Sequence, residues 1–168
     1  MNMALHSIIR FIVAKRNIVK KRFNRVLPIN ELMTDRWEKA SFLGFGKGSS
    51  IYDSSIVFGN VKVGEDTWIG PFTILDGTGD LIVGNNCSIS AGVQIYTHDS
   101  VKWATSGGKE SYEYDKVIIE DNCYIGPNTI IAKGITLGKG CIVGCNSFVN
   151  KSFPPNSKLA GSPALILS

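Results

Sequence analysis

The sequence predicts an all-β domain built as a coil of short strands stacked on itself, and three observations carry that prediction. A large apolar residue recurs at every sixth position through most of the chain, a small residue usually follows it, and only two interruptions break the period. A period of six sustained from Phe45 to Val149 fits neither the 3.6 of a helix nor the 2 of a plain strand. Stacked turns of strand and corner do produce it.

The anchors run Phe45, Ile51, Val57, Val63, Ile69 and Leu75, slip by two residues to Val83, Ile89 and Ile95, and resume at Ile119, Ile125, Ile131, Leu137, Val143 and Val149. Pointing inward, they form a shared core. Behind them stand Gly46, Gly64, Gly70, Gly84, Ser90, Gly126, Ala132, Gly138 and Gly144, small because a Cβ would crowd the turn backbone. A second small or apolar set lies four residues after the anchor and includes Thr67, Thr73, Cys87, Cys123, Thr129, Cys141 and Ser147. With three repeats to a triangular coil, Cys123 and Cys141, 18 apart, stack at one inward corner as packing residues. Fifteen repeats then make about five coils, a rod roughly 24 Å tall at the spacing of paired strands.

Residues 1–44 read as a separate arm. Arg10, Lys15, Arg16, Lys20, Lys21, Arg22 and Arg25 place seven cations and no acid in the first 25 residues, so the net charge of +4 belongs to the arm and the rest is mildly acidic. Leu5, Ile8, Ile9, Ile12 and Val13, then Val19, Phe23 and Val26, give it the spacing of an amphipathic helix. Arg10 and Lys15 break the apolar run far short of a membrane span, and the order of charge and apolar residues is not that of a secretory signal. A cytoplasmic protein is expected, with two readings of the arm open: a helix against its own oligomer, or peripheral contact with an anionic inner-membrane surface. The coiled domain spans 45–168, capped at one end by the arm and at the other by residues 150–168, where Pro154, Pro155 and Pro163 end the repeat.

Four cysteines without a secretory signal suggest free thiols. The two histidines, His6 and His98, cannot build a Cys/His metal cluster, so no metal is expected. No feature points to nucleic acid.

The interruptions mark the candidate site. Between Ile95 and Ile119 the anchor positions fall on Val101, Gly107 and Glu113, so residues 99–116 read as a loop extruded from the rod, and ordered loops of that length are usually functional. His98 stands where the loop leaves. The smaller slip, DGTGD at 76–80, falls one coil earlier and brings Asp76 and Asp80 toward His98 if the coils stack in register; Asp99 is its chain neighbour. A neutral imidazole is suited to take a proton near neutral pH, and an acidic partner can orient it. Trp103, Tyr112 and Tyr114 in the loop either stack on a ligand or pack the loop. Lys102, Lys109 and Lys116 either meet phosphates or are solvated charge.

The hexads, YTHD followed by an excursion, the resuming VIIEDNCYIGPNTIIAKGITLGKGCIVG and the ending FPPNSKLAGSPALIL together resemble the hexapeptide-repeat acyltransferases, in particular their xenobiotic, galactoside and polysaccharide acetyltransferase branch. The resemblance covers residues 45–166. It implies a left-handed parallel β-helix, a homotrimer with active sites between subunits, and acetyl-CoA as acyl donor lying along the last coils. By position, His98 matches the general base and Tyr124 a substrate-side aromatic, with Trp103 nearby in the loop. Gly126, Pro127, Gly144, Cys145, Asn150 and Lys151 match the coenzyme-lining stretch, although Pro127, Cys145 and Asn150 replace the small or hydroxyl residues common there.

The expected function is acetyl-CoA-dependent transfer to a sugar hydroxyl in cell-surface polysaccharide or nucleotide-sugar biosynthesis, with Asp76, Asp80 or Asp99 orienting His98. The alternatives are N-acetylation of an amino sugar and a catalytically silent scaffold. The resemblance implies that a zinc-dependent carbonic anhydrase built on the same repeats needs three histidine ligands, and the chain has two.

Overall fold

The structure, a computed structural model, describes residues 3–167 and divides into two compact units, Met1–Asp35 and Arg36–Ser168. The first holds α1 (Met3–Phe23) and α2 (Ile29–Met33), which contact each other. Asn24, at φ 51°, ends α1, and its side-chain oxygen accepts a hydrogen bond from Lys20 Nζ at 2.5 Å. In the second unit α3 (Arg36–Phe42) lies against the first strand and sends Ala40 into the core. The expected arm thus comprises the first unit together with α3.

Beyond α3 the chain winds through β1 (Ser50–Ile51), β2 (Ile56–Val63), β3 (Trp68–Ile69), β4 (Ile74–Val83), β5 (Ser88–Ile89) and β6 (Gln94–Ile95). It leaves the coil through β7 (His98–Asp99), α4 (Val101–Thr105) and β8 (Glu113–Tyr114). It returns as β9 (Val117–Ile119), β10 (Tyr124–Ile125), β11 (Ile130–Ile131), β12 (Thr136–Leu137), β13 (Ile142–Val143) and β14 (Phe148–Val149), and closes with β15 (Lys158–Gly161) and β16 (Ala164–Ile166).

These strands stack on three faces of a parallel solenoid. The first face runs β1-β3-β5-β10-β13-β15, with β16 added antiparallel. Both β2 and β4 turn a corner without a break. Their first halves join β6, β11 and β14 on the second face, and their second halves join β9 and β12 on the third. The registers locate each irregularity in the sequence. Ser50 pairs Trp68 and Tyr124 pairs Ile142, a spacing of 18. The spacing is 20 from Trp68 to Ser88, across DGTGD, and 36 from Ser88 to Tyr124, where the excursion adds a coil's worth of chain. Ile142 pairs Lys158 at a spacing of 16, so the tail does not simply end the repeat: it contributes a sixth rung to this face, one more than the five coils expected, before folding back.

All the anchors are buried except Val57, which is half-buried. The glycines behind them owe their place to close approach rather than to left-handed backbone. A Cβ on Gly126 would lie 2.6 Å from the Cys145 amide nitrogen of the next coil. Positive φ comes two residues later in each turn, at Asp66, Asn86, Asn122, Asn128 and Asn146 and at Gly92, Gly134 and Gly140. Phe72 occupies this turn position at φ 60° with 64% of its surface exposed, an unfavourable backbone for an aromatic residue.

The second small set turns out to satisfy the turns. At one corner Thr67, Cys87, Cys123 and Cys141 are buried and donate to the carbonyls of Gly84, Glu120, Gly138 and Pro154, at 2.9, 3.2, 3.3 and 3.2 Å. Cys87 thereby joins the thiol stack expected of Cys123 and Cys141. At the next corner Ser55 and Thr129 do the same to Gly70 and Gly144, but the buried hydroxyl of Thr73 lacks a partner among the described residues. Thr73→Val keeps the shape and removes that desolvated hydroxyl, as Val93 already does one coil on. It is expected to raise stability by about 1 kcal/mol, read as a higher melting temperature; a lower one would mean that the hydroxyl is satisfied in solution.

Candidate active site

The candidate site forms where the chain leaves the coil. The two extra residues of DGTGD enter between Gly77 and Leu81, where the register with β2 shifts, and this bulge brings residues 76–79 against Thr97. Asp76 is fully buried, and its carboxylate accepts four hydrogen bonds. Oδ1 takes the Thr78 amide at 2.8 Å and the Thr78 hydroxyl at 2.6 Å; Oδ2 takes the Thr97 amide at 2.9 Å and His98 Nδ1 at 2.5 Å. Burial by itself would raise the Asp76 pKa, but the bonds from Thr78, Thr97 and His98 outweigh it and hold the carboxyl below its ordinary value. Asp76 therefore remains an anion through the neutral range. The stability it contributes is present above about pH 3.9 and is lost as pH falls through its lowered native value.

A carboxylate can only accept, so Nδ1 of His98 carries the proton and Nε2 is left as the acceptor. Thr78 Oγ1 lies 3.0 Å from the same Nδ1. The ring is held on its faces as well, by Tyr114 and Tyr112 stacked at centroid distances of 5.8 and 6.3 Å, and Trp103 meets Tyr112 edge-on at 5.7 Å.

These contacts exist because the excursion is an ordered hairpin with a short helix, not an irregular loop. β7 and β8 pair antiparallel, His98 opposite Tyr114 and Asp99 opposite Glu113. The Asp115 amide returns to the Thr97 carbonyl at 2.9 Å. Lys133, in the turn after β11, fastens the hairpin to the coil through Glu113 at 3.1 Å and Asp99 at 3.3 Å, while Lys102 holds the other Glu113 oxygen at 2.5 Å. Hydrogen bonds from Lys102 and Lys133 lower the Glu113 pKa, and Glu113 in turn raises that of Lys133. Beside His98 opens a cavity of about 480 Å³, walled by Tyr96, Val101, Ile130, Ala132 and Phe148, with Lys133 at its edge.

The structure separates the three acids proposed for His98. Asp76 alone bonds the imidazole. Asp80 turns to Asn60 at 2.7 Å and Lys116 at 3.6 Å. Asp99 accepts the Val101 amide at 3.0 Å at the start of α4 and meets Lys133, since neighbouring strand residues point opposite ways. Tyr124, Gly126, Pro127, Gly144 and Cys145 lie on the first face or in the turns that follow it, whereas His98 follows β6 on the second. Only Asn150 and Lys151 follow β14, at the edge of the His98 face. Gly126 and Gly144 are explained by the stacking of coils: a Cβ on Gly144 would lie 2.9 Å from Ala160 Cβ. Cys145 is an exposed free thiol, and Lys151 Nζ sits over the Phe153 ring at 5.6 Å.

Sequence reasoning missed Thr78, Thr97 and Lys133. Thr78 carried a readable signal, because a residue two beyond an Asp commonly donates its amide back to that carboxylate. Lys133 carried none, its partners lying 20 and 34 residues away along the chain. Among the described residues no cluster of three or more His, Cys, Asp or Glu side chains could hold a metal, and no helix is long and apolar enough to cross a membrane.

Comparison with known proteins points the same way. The family described as bacterial transferase hexapeptide (six repeats) matches residues 116–151. The chain is 32% identical over 97 residues to the galactoside O-acetyltransferase of Lactococcus lactis, covering 56% of this chain and 45% of that enzyme. It is 32% identical over 84 residues to the 2,3,4,5-tetrahydropyridine-2,6-dicarboxylate N-acetyltransferase of Staphylococcus aureus, covering 50% of this chain and 31% of that enzyme. The chain thus spans less than half the length of either relative. The hexapeptide-repeat containing acetyltransferase VCA0836 of Vibrio cholerae, solved also with acetyl coenzyme A, superposes with a TM-score of 0.71 at 26% identity over 94% of this chain and 91% of its own. The six-residue period, the three-faced solenoid and these relatives make the chain similar to the hexapeptide-repeat acetyltransferases in repeat and fold.

Proposed function

We propose that the protein is an acetyl-CoA-dependent acetyltransferase acting on a sugar hydroxyl, in cell-surface polysaccharide or nucleotide-sugar biosynthesis, with His98 as general base. The observation that carries the proposal is the imidazole fixed by a buried carboxylate at the mouth of a cavity of about 480 Å³. Nε2 takes the proton of the acceptor hydroxyl as its oxygen attacks the thioester carbonyl. Asp76 is a positioning residue: it fixes the tautomer and stabilises the imidazolium without taking the proton. When the tetrahedral intermediate collapses, the carbon–sulfur bond breaks and the proton on Nε2 passes to the departing thiolate. The apolar walls at Tyr96, Val101, Ile130 and Phe148 suit the carbon face of a sugar ring. A hydroxyl needs a base more than a free amine does, which favours the ester product.

The coenzyme-lining residues Gly126, Pro127, Gly144, Cys145, Asn150 and Lys151, with Tyr124 on the acceptor side, serve this reaction in a homotrimer, where the first face of one subunit meets the His98 face of the next. Two features support that assembly. Tyr124 and Ile142 present apolar surface on the first face, as do Ile130 and Phe148 on the second, and the exposed Phe72 is kept in a strained backbone that a subunit contact would offset.

The test is turnover of acetyl-CoA against a panel of free and nucleotide-linked sugars and amino sugars, with product linkage identified and assembly followed by sedimentation. An O-acetyl ester formed by a trimer is the expected result. An amide product assigns N-acetylation instead. A trimer releasing no thiol with any acceptor leaves the scaffold reading, and a monomer at micromolar concentration overturns the shared site.

A further inference from the structure

We infer that α1 docks the protein on an anionic lipid bilayer, lying along its surface rather than crossing it. Six of its apolar side chains, Leu5, Ile8, Ile9, Phe11, Val13 and Ile18, are between 43% and 59% exposed, while among the described side chains of this helix only Ile12, Lys15 and Val19 are partly covered. The helix carries Arg10, Lys15, Arg16, Lys20, Lys21 and Arg22 and no acid, and none of the six cations forms an ion pair among the described residues. At 21 residues it is about 31 Å long, enough to spread these groups over a bilayer surface.

The composition selects the occupant. A nucleic acid would satisfy the cations but leave the six apolar side chains in water. A second copy of the helix would bury the apolar side chains but set cations against cations, with no carboxylate on either helix to pair them. An anionic bilayer meets both demands, because the acyl boundary takes Leu5, Ile9 and Val13, which share one face at i, i+4 and i+8, while the headgroups take the lysines and arginines. The distribution along the helix agrees. Arg10 is the only Lys or Arg among residues 3–14, so that half is the apolar one, while five cations stand between Lys15 and Arg22.

The experiment is co-sedimentation of the full chain with vesicles of phosphatidylcholine, with and without phosphatidylglycerol, at low and half-molar salt. Binding is expected to the anionic vesicles at low salt, to weaken at least roughly tenfold without the anionic lipid, and to fall with added salt. Lys20→Gln with Lys21→Gln should cost roughly fivefold per cation removed. Ile9→Asp with Val13→Asp should abolish binding while leaving the melting of the solenoid and the assembly state unchanged. Equal recovery with both lipids overturns the inference, and so does an Ile9→Asp, Val13→Asp chain that changes its assembly state while sedimenting with vesicles as before, which would make α1 a contact between subunits. Acetyl-CoA turnover is not part of the readout, so the result stands apart from the proposed function.

Discussion

His98→Ala is expected to lower kcat by roughly 10²–10⁴ while the assembly state and coenzyme A binding stay close to those of the wild type. The ring contributes one hydrogen bond to Asp76 and stacking on two exposed tyrosines, and none of the core anchors rests on it. Asp76→Asn separates orientation from proton transfer. It keeps the size of the side chain but can donate to Nδ1, which favours the tautomer with the proton on Nε2, so kcat should fall while KM for acetyl-CoA stays put. If His98→Ala retained near-normal kcat, the imidazole would leave the mechanism, and proximity of the two substrates would remain as the source of rate.

Ile131→Asp should be the most destabilising of the substitutions considered. Ile131 is fully buried on the second face between Ile95 and Val149, and an aspartate there meets aliphatic side chains above and below. An uncompensated charge in such a place costs roughly 3–5 kcal/mol, a loss of the order of 10 °C in melting temperature. Lys139→Asp, on an exposed turn six residues past Lys133, should change stability by less than about 1 kcal/mol. Thermal melts of the two chains side by side test the inward assignment of the repeat, and equal melting temperatures would refute it.

The repeat, the inward anchors and the two places where the coil is interrupted are legible in the six-residue period. That is so because each rung repeats one local arrangement, and a side chain's direction in a short strand follows from its position in the period of six. His98 was legible for the same reason, being the residue at which the period fails. Which acid bonds the imidazole follows from contacts between coils. Asp76, Asp80 and Asp99 were equivalent in the sequence, and the choice rests on a bulge of two residues: it buries Asp76 under the Thr97 amide and turns Asp80, at φ 73°, toward Asn60 and Lys116. The order within residues 99–116 was likewise hidden, because it depends on Lys133 reaching from the next coil to a hairpin whose strands are two residues each. The sixth rung was missed because prolines at 154 and 155 mark a stop locally, whereas the exposed edge of β13 offers unpaired backbone groups that Lys158–Gly161 satisfy. Periodicity specifies where a side chain points; irregular backbone and contacts between coils specify what it meets, and those are set by the stack as a whole.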